Sequence, residues 1–428
     1  MNTRSNRLVV ERRWPWLAAA LDDAPEPRDA ALLSDLPAQP IRLDGVQLAG
    51  GHEPEREARL QAALVPEDAT SATVYGLGEG WLARELLARP GIESLRICPL
   101  STMALAVVLK HLPLETLLSD ERVEFVDPRA ERELSTPFSV SPAELVLADG
   151  AGARVRDLVQ LELETPFLRQ RRNALSAEIQ NRIAGNARHL AEDGDVAALD
   201  GTWNGARVHV AAGGPSLASS YDLLRARPAG EPLLACDAAL RSLVTAGIVP
   251  DVVLSMDLDR EALIGLLDVE PEVAQRATLV YDPCAHADAV GTWRGRRLVT
   301  YAQHDAYDDI ARRLPRARLW SAGSVLHSAV DLARRGGAAE VVLHGADFAT
   351  PGGKSHVDGF AWQKALPDRG PHGAWVEGRD GTRLRTLPNL VGYLRELERF
   401  IARHPELRFV NHSSGAVIAG AQSAEVAA

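Results

Sequence analysis

Three apolar strands that each run into a glycine or acidic turn constrain this chain more than any other feature. Val208-His209-Val210-Ala211-Ala212 leads into Gly213-Gly214-Pro215-Ser216-Leu217, which opens a helical pattern. Leu233-Leu234-Ala235-Cys236 ends on Asp237, and Asp251-Val252-Val253-Leu254-Ser255-Met256 ends on Asp257-Leu258-Asp259. One glycine-rich turn and three carboxylates therefore follow the carboxyl ends of consecutive parallel-type strands. Ligands of open α/β sheets bind at that edge. A glycine turn feeding a helix offers amide N–H groups and the positive end of a helix dipole to an anion. The pattern predicts a site for a nucleotide or a sugar-nucleotide.

Length and charge limit the alternatives. At 428 residues the chain exceeds one ordinary domain. A net charge of −11 argues against nucleic acid or an anionic membrane as partner, both of which call for a basic surface. No run of about 20 apolar residues occurs and the first residues lack a signal-type apolar stretch, so neither membrane insertion nor export by a cleaved signal is expected. Cys98, Cys236 and Cys284 show no metal-type spacing, and two of them end apolar strands. They read as buried thiols of a reducing cytoplasm.

The expected fold class is α/β, with two Rossmann-like, mostly parallel sheets joined by a long helical connector. Residues 1–50 are rich in proline and charge and read as an irregular lead-in. A Rossmann-like domain is expected over 51–150, with strands at Thr73–Tyr75, Ser94–Cys98, Arg122–Val126 and Glu144–Ala148. Residues 151–200 read as the connector, 201–422 as the larger domain and 423–428 as a tail. Strands alternate with helical patterns through the larger domain, which implies a sheet covered on both faces. Its clearest helix, Ser324 to Arg335, stops at Gly336-Gly337. The echo between Gly201-Thr202-Trp203-Asn204-Gly205 and Gly291-Thr292-Trp293-Arg294-Gly295 reads as a recurring turn before a strand.

Each chemistry-bearing position also has a purely structural reading. Gly213, Gly214, Pro215 and Ser216 would make a strand-to-helix connection in any case, with Ser216 as a cap. Asp237 would serve as an N-cap or accept from a ribose. Asp257 and Asp259 form an Asp-x-Asp able to ligate a divalent cation, Mg2+ being the hard-oxygen candidate, or one of them merely caps a helix. No other cofactor is called for. His356 lies in the glycine-bordered loop Gly352-Gly353-Lys354-Ser355-His356, an exposed setting suited to a general acid or base. Tyr301, His304 and His327 favour structural roles. The first domain's Gly76-x-Gly78-x-Gly80 resembles a nucleotide-binding turn, yet the next strand ends in Cys98 where an acid would hold ribose hydroxyls. A Rossmann-like domain without cofactor is expected.

With those residues in view, the chain resembles the motility-associated factor family of bacterial flagellin glycosyltransferases, whose central domain is shared with 6-hydroxymethylpterin diphosphokinases. The resemblance runs roughly from residue 70 to 422. It rests on Val74 to Trp81, Ala212 to Leu217, Ala246-Gly247-Ile248-Val249-Pro250-Asp251 leading to Asp257, Gly323-Ser324-Val325, and Val342 to Asp347. It continues through Lys354-Ser355-His356-Val357-Asp358-Gly359 and the closing Asn411 to Gly420, where Ser414 stands in place of a frequent glycine. The resemblance implies a larger domain like that of bacterial sialyltransferases. It also implies transfer of a nonulosonic, sialic-acid-like sugar from a CMP-activated donor to Ser or Thr of flagellin, in flagellar glycosylation and motility. On that reading Gly213, Gly214, Pro215, Ser216, Asp237, Asp257 and Ser324 hold the donor, while His356 and Asp347 carry the chemistry. The chain is shorter than typical members and leaves little room for an added acceptor-binding domain.

Two other readings stay open. Asp257-Leu258-Asp259 also resembles the Asp-Leu-Asp of the pterin diphosphokinases, where Mg2+ and ATP would act on a pterin-like acceptor. A non-catalytic protein that binds sugar-nucleotides is the third.

Overall fold

The structure, a computed structural model, describes residues 2–34, 36, 38–174, 176–256, 269–358 and 374–424. The chain divides into two compact units, Met1–Glu164 and Thr165–Ala428.

In the first unit, residues 1–50 depart from the irregular lead-in expected of them. Helices form at Asn2–Arg13 and Pro15–Asp22, followed by a small antiparallel sheet of β1 (Ala30–Leu32), β2 (Ile41–Leu43) and β3 (Val46–Gln47). The reason is apolar spacing inside a polar stretch. Val9, Val10, Trp14 and Leu17 fall on one side of the helical pair and join the core of Val74, Leu95, Ile97 and Phe125. Burying each such side chain contributes about 1.5–3 kcal/mol. Four parallel strands follow: β4 (Ser71–Tyr75), β5 (Ser94–Cys98), β6 (Val123–Phe125) and β7 (Phe138–Val140), in spatial order β6-β5-β4-β7. The chain steps outward from β4 to β6, then returns to the other side of β4 with β7. Strand order thus reverses between β4 and β7. The strand expected at Glu144–Ala148 is instead a helix, Pro142–Leu147, because Pro142 at its first turn presets helical φ and cannot donate to a sheet ladder.

Helices Gly150–Ala174, Ser176–Gly185 and Ala187–Glu192 precede the second sheet. Its strands are β8 (Gly194–Asp195), β9 (Arg207–Ala211), β10 (Leu233–Cys236), β11 (Val252–Ser255), β12 (Thr278–Tyr281) and β13 (Arg297–Val299). A separate two-stranded pair, β14 (Tyr301–Ala302) and β15 (Arg318–Leu319), comes next. Then come β16 (Glu340–His344), the hairpin β17 (Trp375–Glu377) and β18 (Arg383–Arg385), β19 (Arg408–Asn411) and β20 (Gln422–Ser423). Nine of these make one parallel sheet in the order β20-β19-β16-β9-β10-β11-β12-β13-β8. Both principal sheets are parallel throughout, so the chain has the α/β class its pattern implies.

Strand order in the larger sheet reverses between β9 and β16. Pairing aligns their ends, with His344 opposite Ala211, Ala235 opposite Ala211, and Leu343 opposite Asn411. The helix Val325–Arg335 packs Leu326, Ala329, Val330, Leu332 and Ala333 into the core against Val208, Val210, Leu234 and Leu254. Its last turn lies at the amino end of β9, where Trp203 N donates to Gly336 O (2.7 Å) and Gly205 N to Gly337 O (2.8 Å). The helix therefore opens toward the carboxyl edge of the sheet. Of the two echoed turns, only Gly201 to Gly205 makes this contact, whereas Trp293 of the other is buried in a different core.

Candidate functional site

The glycine turn leaves β9 at the reversal point, where the connections to the two neighbouring strands run in opposite directions, the place at which open α/β sheets bind their ligands. The structure brings Gly213, Gly214, Pro215 and Ser216 together with Asp347, which follows β16 on the other side of that point. Gly214 N donates to Gly345 O (2.9 Å) and Leu217 N to Gly214 O (3.1 Å). Ser216 N donates to Asp347 Oδ2 (2.8 Å). Part of the donor set expected to face a ligand is thus already engaged by the protein. Internal packing also accounts for the glycines. A Cβ on Gly214 would stand 2.3 Å from Gly345 O and 2.5 Å from Asp347 Oδ2, and one on Gly213 2.7 Å from the Ala238 methyl.

Asp347 is 2% exposed, and burial raises its pKa, opposed by hydrogen bonding from Ser216 and from the backbone of Gly415. Its Oδ1 and the Ser216 hydroxyl have no partner in hydrogen-bonding geometry among the described residues. Ser216 still bears on the carboxylate through its side chain, so these two atoms form a loose contact and the turn is less tightly closed than buried polar groups usually are.

The closing segment braces this corner, a role not visible from residue type. Ser413 Oγ accepts from Ala346 N (2.7 Å), Asn411 Oδ1 accepts from Ser413 N (2.9 Å), and Ala416 N donates to Asp347 O (2.8 Å). Gly415 approaches so closely that a Cβ there would lie 2.2 Å from Asp347 O. The signal available in the sequence was the short side chains Ser413-Ser414-Gly415-Ala416 directly after a strand.

One strand further, Asp237 opens the helix Asp237–Thr245 rather than standing before it. Its Oδ1 accepts from Ala238 N (2.8 Å) and its Oδ2 from Ser255 Oγ (2.9 Å), tying the ends of β10 and β11. Ser324 precedes the helix Val325–Arg335 without a side-chain capping bond, on the same edge of the sheet. Asp257 and Asp259 lie outside the described residues.

The loop carrying His356 is bound to the turn: Val357 N donates to Gly213 O (2.9 Å), and the Val357 side chain joins the apolar cluster around Leu217. His356 Nδ1 lies 3.0 Å from Ser355 Oγ, and partial burial lowers the imidazole's pKa. At neutral pH the ring is neutral and able to take up a proton. The exposed histidine expected from the flanking glycines is instead half-buried.

A concavity of about 350 Å³ lies toward the amino ends of β9, β16 and β19, with Arg207, His209, Arg227, Glu231, Arg408 and His412 in its lining. His209 Nδ1 stands 3.0 Å from His344 Nε2, His209 Nε2 lies 2.9 Å from Glu231 Oε2, and the His344 ring stacks on His412. Arg207 and Arg408 both pair with Glu340, so the cations of this cleft are largely neutralised internally. Burial lowers all three imidazole pKa values. We place the candidate site at the carboxyl edge, where the sheet reverses. Cys98, Cys236 and Cys284 are free and buried, and no helix of the described residues is long and apolar enough to cross a membrane.

No curated protein matches the chain. Among solved structures, it is similar to the MAf glycosyltransferase from Magnetospirillum magneticum AMB-1, with a TM-score of 0.48 and 15% identity over 100% of this chain and 75% of the other. Residues 181–353, which include the glycine turn and Asp347, match the family described as 6-hydroxymethylpterin diphosphokinase MptE-like.

Proposed function

We propose that the chain is a glycosyltransferase that moves a nonulosonic, sialic-acid-like sugar from a CMP-activated donor to Ser or Thr of flagellin, acting in the cytoplasm. The observation that carries this reading is the bond from Val357 N to Gly213 O, which sets the His356 loop against the glycine turn. A donor seated at the turn would meet a neutral imidazole beside it. The acceptor hydroxyl is a poor nucleophile until its proton leaves. His356 would take that proton as the hydroxyl oxygen bonds to the anomeric carbon, while the bond from that carbon to the phosphate oxygen breaks and CMP departs with the electron pair. A positioned base contributes about 10²–10⁴-fold to such a step. Gly213 to Ser216 would face the donor phosphate, Asp237 and Asp257 the ribose or sugar, and Ser324 the far side of the crevice. Asp347 would set the shape of the turn and face the donor with Oδ1.

The match over residues 181–353 favours a second reading, a Mg2+-dependent diphosphokinase using ATP on a pterin-like acceptor. Asp257 and Asp259 would then supply carboxylate oxygens to the cation. Thermal-shift titration separates the two. Stabilisation by CMP without a divalent cation supports the transferase, and stabilisation by ATP only with Mg2+ supports the kinase. For the transferase, His356→Ala should cut transfer at least about tenfold while CMP affinity stays nearly constant. Transfer unchanged in that variant removes His356 from the mechanism, and absence of any turnover would favour a sugar-nucleotide-binding protein. Mass spectrometry of flagellin from a deletion strain tests the acceptor.

A further inference from the structure

We infer that Asp347 acts as a built-in competitor for the anion site and takes up a proton when a phosphate-bearing ligand occupies the glycine turn. The inference rests on the reading of the turn as a nucleotide site. Its starting point is geometric. The Ser216 N–H, one of the groups a bound phosphate would need, already donates to Asp347 Oδ2 at 2.8 Å. The carboxylate cannot withdraw far. Gly415 crowds its backbone closely, and Ala416 N is bonded to its carbonyl. A phosphate at the turn would therefore sit beside a buried carboxylate.

Two like charges at such range inside a protein repel strongly, and the usual resolution is that one group binds a proton. Among the described residues a cation at the closing segment, Arg379, donates to Ser413 O (3.0 Å). The glycine turn brings Ser216 against Asp347, and the closing segment brings Ser413 and Gly415, none of them charged. The titratable groups of the same edge among the described residues include the carboxylates Asp237 and Asp282 and the imidazole of His356, held neutral by burial. Lys354 forms an ion pair with Asp358 (3.0 Å). Asp347 is already biased toward its acid form, because burial raises its pKa in the absence of any ligand. Once protonated, its O–H becomes a donor that a phosphate oxygen would accept, and repulsion turns into a hydrogen bond.

The same chain contains the arrangement in a completed form. After β4, Glu144 fills the turn of the smaller sheet and accepts from Gly78 N (2.7 Å), Leu100 N (3.0 Å) and Ser101 N (3.2 Å). There the internal carboxylate takes three backbone donors. At Asp347 one oxygen and the adjacent Ser216 hydroxyl lack a partner in good hydrogen-bonding geometry among the described residues, and only weaker contacts from Ser216 and the Gly415 backbone bear on the carboxylate. The larger sheet's turn is the one with capacity to spare for a ligand.

Isothermal titration of the full chain with CMP, in two buffers of different ionisation enthalpy between about pH 6 and 9, tests this. The expected result is uptake of between a half and one proton per CMP somewhere in that range, with affinity falling as pH rises. Asp347→Asn should bind CMP without proton uptake and with little pH dependence. Should that variant fail to fold, infrared difference spectra of the unaltered protein must show the carbonyl stretch of a protonated carboxylic acid growing as CMP binds. CMP binding with no proton uptake at any pH overturns the inference and leaves the nucleotide reading standing. Absence of CMP binding at every pH overturns the nucleotide reading itself.

Discussion

The turn after β4 and the turn after β9 each lie where strand order reverses, and each receives a carboxylate from the strand on the far side of that point. In the smaller unit the acid is Glu144, fully buried and bonded to three backbone N–H groups. In the larger it is Asp347, bonded to one in good geometry. One methylene separates the two side chains, but the outcome depends on where the chain places them. Glu144 sits in the first turn of a helix and reaches both the glycine turn and the start of the helix Thr102–His111, where Asp149 further engages Ser101 and Thr102. Asp347 is pinned by its backbone between the turn and the closing segment. The comparison teaches that a glycine-rich turn at a reversal point is not evidence of a ligand. What distinguishes a sealed turn from a receptive one is whether the protein itself uses up the donors.

The contrast predicts first that Glu144→Ala destabilises the protein by about 3–5 kcal/mol in chemical denaturation, since three buried donors lose their acceptor at about 1–3 kcal/mol each. A loss below about 1 kcal/mol would mean that water or a shifted backbone replaces the acid, and the comparison would fail. Acid should next separate the two units. His209, His327, His344 and His412 of the larger unit all have folded pKa values below the ordinary one, His327 pushed down to about 4, mainly by burial. Below about pH 6.5 the unfolded chain then binds more protons than the folded one, so stability present above that pH is lost as pH falls. His327 alone accounts for about 2 kcal/mol by pH 5. The histidines of the smaller unit, His52 and His111, are exposed, so hydrogen exchange at pH 5 should show the larger unit opening first. Gly214→Ala should cost about 1–3 kcal/mol through overpacking against Gly345 and Asp347. The same substitution at Gly45, whose surroundings are open, would cost only its left-handed backbone strain. Asp347→Ala should have the smallest effect on thermal stability, about 1–2 kcal/mol. A loss matching that of Glu144→Ala would show the two turns to be equally sealed.

Much of this arrangement was legible from residues alone. Apolar runs ending on glycine or aspartate located β9, β10 and β11, and helix Val325–Arg335 followed from its periodicity and its Gly336-Gly337 stop. The meaning of Glu144 was not. Leu145-Val146-Leu147-Ala148 reads as a strand by apolar content, although Ser141-Pro142-Ala143-Glu144 carries the helix-start pattern of a cap residue, a proline and an acid three positions on. The acid missing after β5 suggested a Rossmann-like domain without cofactor, and what residue type did not show is that an acid from after β7 fills its turn. That pairing joins residues 66 positions apart and depends on strand order, which periodicity does not encode. Likewise, Gly214 was expected to hold the donor, and the atoms that approach it belong to Gly345 and Asp347. The helices within residues 2–22 were hidden because the charge and proline of the wider 1–50 stretch outweighed the apolar spacing of Val9, Val10, Trp14 and Leu17 within it.

The bracing of Gly345 to Asp347 by Ser413, Gly415 and Ala416 has a consequence for the order in which the molecule is made. The turn after β9 leaves the ribosome roughly two hundred residues before the segment that locks its partner strand in place. Until then β16 has only one neighbour, and the crevice has no fixed second wall. A nascent chain long enough to fold its amino-terminal unit therefore cannot yet hold a nucleotide in the proposed manner, and competence would arrive late and abruptly, with the final strands of the sheet.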